Sequence, residues 1–166
     1  MLRLVEENDA EFILGLRTDS KYNQHLSAVT GSVSAQAEWI RKYKEDEKNK
    51  IQYYFIIERK DDGVKCGTVR IYDILEDSFS WGSWILNEDK TRFAAIESAF
   101  LVYQFGFDIL NFEKSHFEVR KENSKVLSFH EKMGAIKKNE NENEIFYEIT
   151  KEAVQLARKR LQAKIE

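Results

Sequence analysis

The stretch RKENSKVLSFHEKMGA, residues 120–135, sets Val126, Phe129 and Met133 at helical intervals, with Leu127 beside them. His130 falls on the same inward stripe, four residues after Val126, where a leucine would complete the apolar face. An unperturbed imidazole titrates at about pH 6.5, so a ring placed there can hold or release a proton under neutral conditions. Acid–base chemistry is the functional use of such a ring; a core histidine bonded to backbone is the structural one. A second place of interest is the polar loop NEDKTR, residues 87–92, set between an apolar strand and an apolar helix. A helix that starts directly after a central strand gathers free N–H groups and the positive end of its dipole. Lys90 and Arg92 add charge there, and the Ala94-Ala95 pair permits close approach, which together suit a phosphate or pyrophosphate.

The elements that must position these residues follow from periodicity. LRLV (2–5) reads as a short strand, and Asn8 or Asp9 as the cap of the helix AEFILGLRTD. Residues 18–34 are polar and turn-rich, a loop long enough to suggest a functional role. Ser34 is expected to cap AQAEWIRKYKEDEKN. IQYYFIIER (51–59) and VKCGTVRIYDI (64–74) read as a hairpin around Asp61-Asp62-Gly63. SFSWGSWIL (78–86) is apolar on both faces and so central, and Gly82 inside it marks a bulge or a close approach. Residues 93–110 form a helix apolar nearly all round, hence buried. KSHFEVR (114–120) places Phe117 and Val119 on one face and His116, Glu118 and Arg120 on the other. After the His130 helix come the strands AIKKN and NEIFYEIT and an amphipathic helix over residues 150–166. This order implies a mixed sheet with helices on both faces, in one domain over residues 1–166 with the last helix appended.

Composition removes several alternatives. Twenty-six basic and twenty-nine acidic side chains leave a net charge of −3, which gives no electrostatic ground for nucleic-acid binding. The strongest apolar stretch is interrupted by Glu97, Gln104 and Asp108, so no membrane span is expected. The early acids do not suit a signal peptide, and the lone Cys66 can form no internal disulfide; a cytoplasmic protein is expected. Three histidines and one cysteine show no ligand spacing, so no metal is expected. The basic face of the last helix reads as solvated, with a homodimer or RNA contact as the sharper alternative.

In several of these stretches the chain resembles a known family. CGTVRIYD (66–73) carries an IGT-like signal, and SWGSWIL precedes a polar loop and helix. The motif N-x6-aromatic-E-K-x-G is met by Asn123, His130, Glu131, Lys132 and Gly134. On these grounds residues 1–149 resemble the GCN5-related N-acetyltransferases (GNAT), in the branch that acetylates ribosomal proteins, antibiotics and nucleotide-linked amino sugars. The family's phosphate-loop signature, Gln/Arg-x-x-Gly-x-Gly/Ala, is met poorly: Lys90, Phe93 and Ala95 take its places. Phe93 replaces a glycine that lets a backbone N–H reach the phosphates.

The resemblance implies an α/β (α+β) fold, a mixed and mostly antiparallel sheet of about seven strands with helices on both faces. It implies transfer of an acetyl group from acetyl-CoA to a primary amine by direct attack. Lys90, Arg92, Phe93, Ala94 and Ala95 would then meet the pyrophosphate. Ile85, Leu86 and Asn87 would lend their backbone to the pantetheine arm, in a gap between the fourth and fifth strands around Trp84 and Phe117. Asn123 would contact the same arm besides capping its helix. His130 stands where the family usually has the tyrosine that protonates the departing thiolate. It could do so only as imidazolium, which would give a bell-shaped pH profile. Ser83 would bond the thioester region, and Glu118 would orient the amine through water. Tyr22 and His25 of the long loop, with Arg70, Tyr72 and Trp81, would line the acceptor cleft, core packing being the alternative for the last two. Aromatic and amide groups suit a sugar ring, which favours a small molecule or nucleotide-linked amino sugar over a protein N-terminus. The rival is a non-catalytic acyl-CoA-binding or regulatory domain of the same fold, for which Phe93 and the missing tyrosine speak.

Overall fold

Tyr54 packs edge-on against Trp39 and Tyr43, and a core of Val5, Ala10, Ile13, Ile40 and Ile56 closes around these rings. That cluster draws together the first elements of the chain: β1 (Leu2–Leu4), a 3-10 turn (Glu7–Asp9), α1 (Ala10–Thr18), α2 (Val33–Lys48) and β2 (Tyr53–Glu58). They are followed by β3 (Lys65–Tyr72), β4 (Ser78–Leu86) and α3 (Ala94–Gln104), which runs into a π-helical turn at Phe105–Ile109. The chain ends with β5 (Lys114–Arg120), α4 (Ser124–Met133), β6 (Ile136–Glu140), β7 (Glu144–Thr150) and α5 (Lys151–Ile165). The computed structural model describes residues 1–24 and 31–165.

The strands form one seven-stranded sheet in the order β1-β2-β3-β4-β5-β7-β6. The pairs β1–β2, β2–β3, β5–β7 and β6–β7 are antiparallel, and β4–β5 is parallel. The α/β fold with a mixed, mostly antiparallel sheet is therefore as expected. By contacts the chain divides into two compact units, Met1–Asp73 with Gly82–Ser98, and Ile74–Trp81 with Ala99–Glu166. Among the described residues no helix is long and apolar enough to cross a membrane.

In the first unit a buried carboxylate fixes the entry of the chain. Asp9 is fully buried, receives two bonds of 2.9 Å from the Arg3 guanidinium, and has Lys65 at 2.7 Å. The Glu6 amide adds a bond of 2.8 Å. Burial alone would raise its pKa, but the bonds from Arg3 and Lys65 outweigh it and hold the carboxyl well below the usual range. Asp9 is thus committed to β1 and β3, and its side chain makes no cap bond to α1. The cap of α2 also falls elsewhere than expected: Ser32, two residues before Ser34, accepts from the Ala35 amide.

In the second unit β5 pairs with β7 from Lys114↔Thr150 to Arg120↔Glu144, and Phe117 stacks on Tyr147 across that ladder. Tyr103 of α3 stacks on Phe107 of the π turn, which brings both rings inward. The regular helix therefore ends at Gln104, where an unbroken one had been expected to residue 110.

Replacing Asp9 by Asn keeps the shape but removes the buried carboxylate shared by Arg3 and Lys65, and leaves Arg3 its contact with Glu58 at 3.2 Å. The expected loss is about 3 kcal/mol of folding stability, read as a lower midpoint in urea denaturation. An unchanged midpoint would contradict the clamp.

Candidate active site

Strand β4 supplies the backbone of the site. It pairs with β5 at Ser78↔Lys114 and Phe79↔Ser115, where the Ser115 hydroxyl also donates to the Phe79 carbonyl at 2.7 Å. Among the described residues the ladder to β5 goes no further within this unit, although Ser80 and Trp81 follow and β5 runs on to Arg120. The second half of β4 lies on β3. The Asn87 amide donates to the Cys66 carbonyl at 2.8 Å. Gly67 lets the Ile85 carbonyl come so close that a Cβ there would lie 2.1 Å from its oxygen. Successive residues of a strand send their backbone groups to opposite sides. With Ile85 and Asn87 turned to β3, Leu86 is turned away from it, and Trp84 shares that side. Of the three expected pantetheine partners, Ile85 and Asn87 therefore spend their backbone on β3, whereas Leu86 is turned away from it.

The irregularity in β4 falls one residue later than the glycine suggests. Ser83 is the residue with left-handed backbone, at φ 48°, and its carbonyl accepts from Thr68 Oγ1 at 3.2 Å. Gly82 serves a different end, since a Cβ there would sit 3.1 Å from the Tyr72 hydroxyl. Ser83 thus shapes the strand by its backbone.

After β4 the chain turns through Asn87, whose side-chain oxygen accepts from the Asp89 amide and whose carbonyl accepts from the Lys90 amide. The Ala94 amide bonds Thr91, and the Glu97 amide makes the helical bond to Phe93. The amides of the intervening first turn have no earlier helical carbonyl to meet. Lys90 and Arg92 are exposed and have no ion-pair partner among the described residues. The Arg92 guanidinium lies over the Phe93 ring, 5.1 Å from its centroid. Phe93, the departure from the expected glycine, therefore provides a seat for Arg92 at the start of the helix. Ala94 is buried and Ala95 half-buried.

His130 is 4% exposed, enclosed by Phe117 at 4.2 Å between ring centroids, Trp81 at 5.4 Å, Phe129 at 5.7 Å and Tyr147 at 6.4 Å. Burial among these rings pushes its pKa down to about 3. The imidazolium expected at neutral pH is therefore replaced by a neutral imidazole, because burial penalises the charged form. Trp81 is 4% exposed and makes edge contacts with Tyr103 as well as with His130, so core packing is its role here rather than lining a cleft. Glu118 alternates with Phe117 and lies on the face of β5 opposite to His130; the structure does not bring these two together. Asn123 precedes α4 but makes no side-chain cap bond, which corrects its expected capping role.

Of the acceptor candidates, Arg70 and Tyr72 share one face of β3, with the guanidinium 4.7 Å from the ring centroid. Tyr22 donates its hydroxyl to the Glu88 carboxylate, which ties residue 22 to the segment after β4. His25 lies outside the described residues. Glu88 and Tyr147 carry no motif that singles them out in the sequence. The latter donates to Glu131 at 3.1 Å, and strand alternation in NEIFYEIT, with Tyr147 and Ile149 inward, was the available signal.

A family model described as an acetyltransferase (GNAT) domain matches residues 1–136. Among solved structures, apo FdhC, a nucleotide-linked sugar GNAT, shares 55% identity at a TM-score of 0.90, covering 97% of this chain and 92% of that one. Spermidine N-acetyltransferase from Vibrio cholerae, in complex with CoA and spermine, shares 18% identity at 0.80, over 93% and 97%. Ribosomal-protein-S5-alanine acetyltransferase from Vibrio fischeri shares 15% at 0.75, over 90% and 91%. The last two are likenesses of fold. No curated protein matches the sequence.

The neutral state of His130 has a measurable consequence. The folded ring takes a proton only near pH 3, while the unfolded one does so at about 6.5. Its contribution to stability is complete above about pH 6.5 and is lost as the pH falls towards 3, at up to about 1.4 kcal/mol per pH unit. Denaturation of the wild type and of His130→Gln at about pH 7 and about pH 4 should show a larger acid loss for the wild type. Equal losses would contradict the neutral buried ring.

Proposed function

The chain belongs to the GNAT acetyltransferase family and is an acyltransferase; from that premise we propose that it transfers an acetyl group from acetyl-CoA to the primary amine of a nucleotide-linked amino sugar. The observation that carries the reading is the run from Leu86 to Ala95. A strand backbone turned away from its β3 neighbour is followed at once by two exposed cations and the open amides of a helix start. The pantetheine arm would pair with Leu86, and the pyrophosphate would meet Lys90, Arg92 and the amides before Glu97. The two compact units together form one acetyltransferase domain in this reading, with the helix over residues 150–166 appended.

Acetyl-CoA supplies the activated acyl thioester when bound. The protein's part is to hold the carbonyl, admit the amine and exclude water. A backbone N–H on the Leu86 side of β4 would receive the carbonyl oxygen as charge grows there. The amine forms the new C–N bond as the C–S bond breaks, sulfur leaves with the electron pair, and the proton shed by nitrogen balances the thiol. For His130 the expected acid role changes with its resting state: a neutral ring can offer a hydrogen bond but not the proton of an imidazolium. A negative charge arriving beside the ring offsets the burial that lowered its pKa, so its affinity for a proton rises as the thiolate departs.

The acceptor class is supported by the 55% identity to a nucleotide-linked sugar GNAT. Calorimetry with acetyl-CoA and thiol release over a panel of amines test the proposal. Turnover is expected for a nucleotide-linked amino sugar, and the double variant Lys90→Ala/Arg92→Ala should bind acetyl-CoA about tenfold more weakly or worse. Binding without turnover on any amine would favour the non-catalytic rival, and no binding at millimolar concentration would overturn the reading.

A further inference from the structure

Arg70 is a half-buried cation with no carboxylate partner among the described residues. It lies directly opposite Tyr54 in the β2–β3 register, with the Tyr72 ring on one side. Among the described residues it makes a long hydrogen bond of 3.4 Å to the Gln52 side-chain oxygen, and its Nε is buried without a partner. The groups acting most strongly on it are Tyr72, Tyr54, Arg17 and Tyr43: three neutral phenols and a second cation. Buried guanidinium groups are ordinarily paired, because losing water costs a charge several kcal/mol unless an opposite charge replaces it. Burial already lowers the pKa of Arg70, and Arg17 adds to the effect.

We propose that Arg70 anchors the diphosphate of the acceptor and so selects an amine that also carries an anion. This rests on the reading above that the acceptor is a nucleotide-linked amino sugar, and it names the residue that recognises the nucleotide side. The guanidinium fork matches two phosphate oxygens at once, and the Tyr72 face holds it flat for that purpose. The Tyr72 hydroxyl end in turn lies over Gly82, immediately before the left-handed residue of β4. Arg70 is therefore about one tyrosine side chain away from β4, a separation that a sugar ring fills between its amine and its diphosphate. A polyamine such as spermidine would bring positive charge to the same cation and be disfavoured.

The test uses the full chain and four probes: UDP, dTDP, GDP and inorganic pyrophosphate, titrated calorimetrically without acetyl-CoA. At least one should bind the wild type, about tenfold more weakly to Arg70→Gln, with Arg70→Lys in between because charge is kept and the fork lost. Thermal unfolding of both variants confirms that they fold. The Lys90→Ala/Arg92→Ala variant should keep its nucleotide affinity, which separates this site from the loop after β4. Binding of none of the probes, equal binding by Arg70→Gln, or loss confined to the Lys90/Arg92 variant would overturn the proposal, as would faster turnover of spermidine than of nucleotide-linked amines. Failure of the acetyl-transfer reading would appear separately, as absent acetyl-CoA binding or thiol release, since the nucleotide titrations do not involve acetyl-CoA.

Discussion

The alternation of backbone direction along β4 is the constraint on which the rest depends. Once the Asn87 amide is bound to Cys66 and the Ile85 carbonyl is pressed onto Gly67, the orientation of Leu86 is settled. A side chain at residue 67 would force the two strands apart, so a residue of β3 determines what β4 can offer. The chain then passes directly from that strand into Lys90, Arg92 and the start of α3, which sets a strand edge turned from β3 and two exposed cations in sequence along one path.

Burial acts on three titratable groups with three different outcomes. Asp9 is wholly buried yet ionised, because Arg3 and Lys65 supply opposite charge. His130 is nearly as buried but surrounded by rings, and burial makes it neutral. Arg70 remains charged with phenols and a second guanidinium about it, so its balance is left to a ligand. The same cost of desolvation thus fixes a fold contact in one place, changes a protonation state in another and creates a demand for an anion in a third.

Much of this was legible in the sequence. The element order and the sheet followed from periodicity, and the run from β4 through α4 could be read as GNAT-like on its Asn123-to-Gly134 motif. What escaped was whatever depends on three-dimensional neighbours. Spacing placed His130 on the buried stripe, but the low pKa comes from Trp81, Phe117 and Tyr147, which lie on other strands. Gly82 drew attention as a bulge, whereas the left-handed residue is Ser83, and Gly82 instead accommodates Tyr72. Asn123 and Ser34 were read as caps from residue type alone, and neither side chain makes the bond; Ser32 does so for α2. Phe93 looked like damage to a phosphate loop until the position of Arg92 gave it a use.

Amide hydrogen exchange at Leu86, followed by NMR with and without acetyl-CoA, tests the central claim most directly. The account predicts that the Leu86 amide becomes protected on binding, while that of Asn87, already bonded to Cys66, changes little. Saturation with acetyl-CoA that leaves exchange at Leu86 unaltered would contradict it.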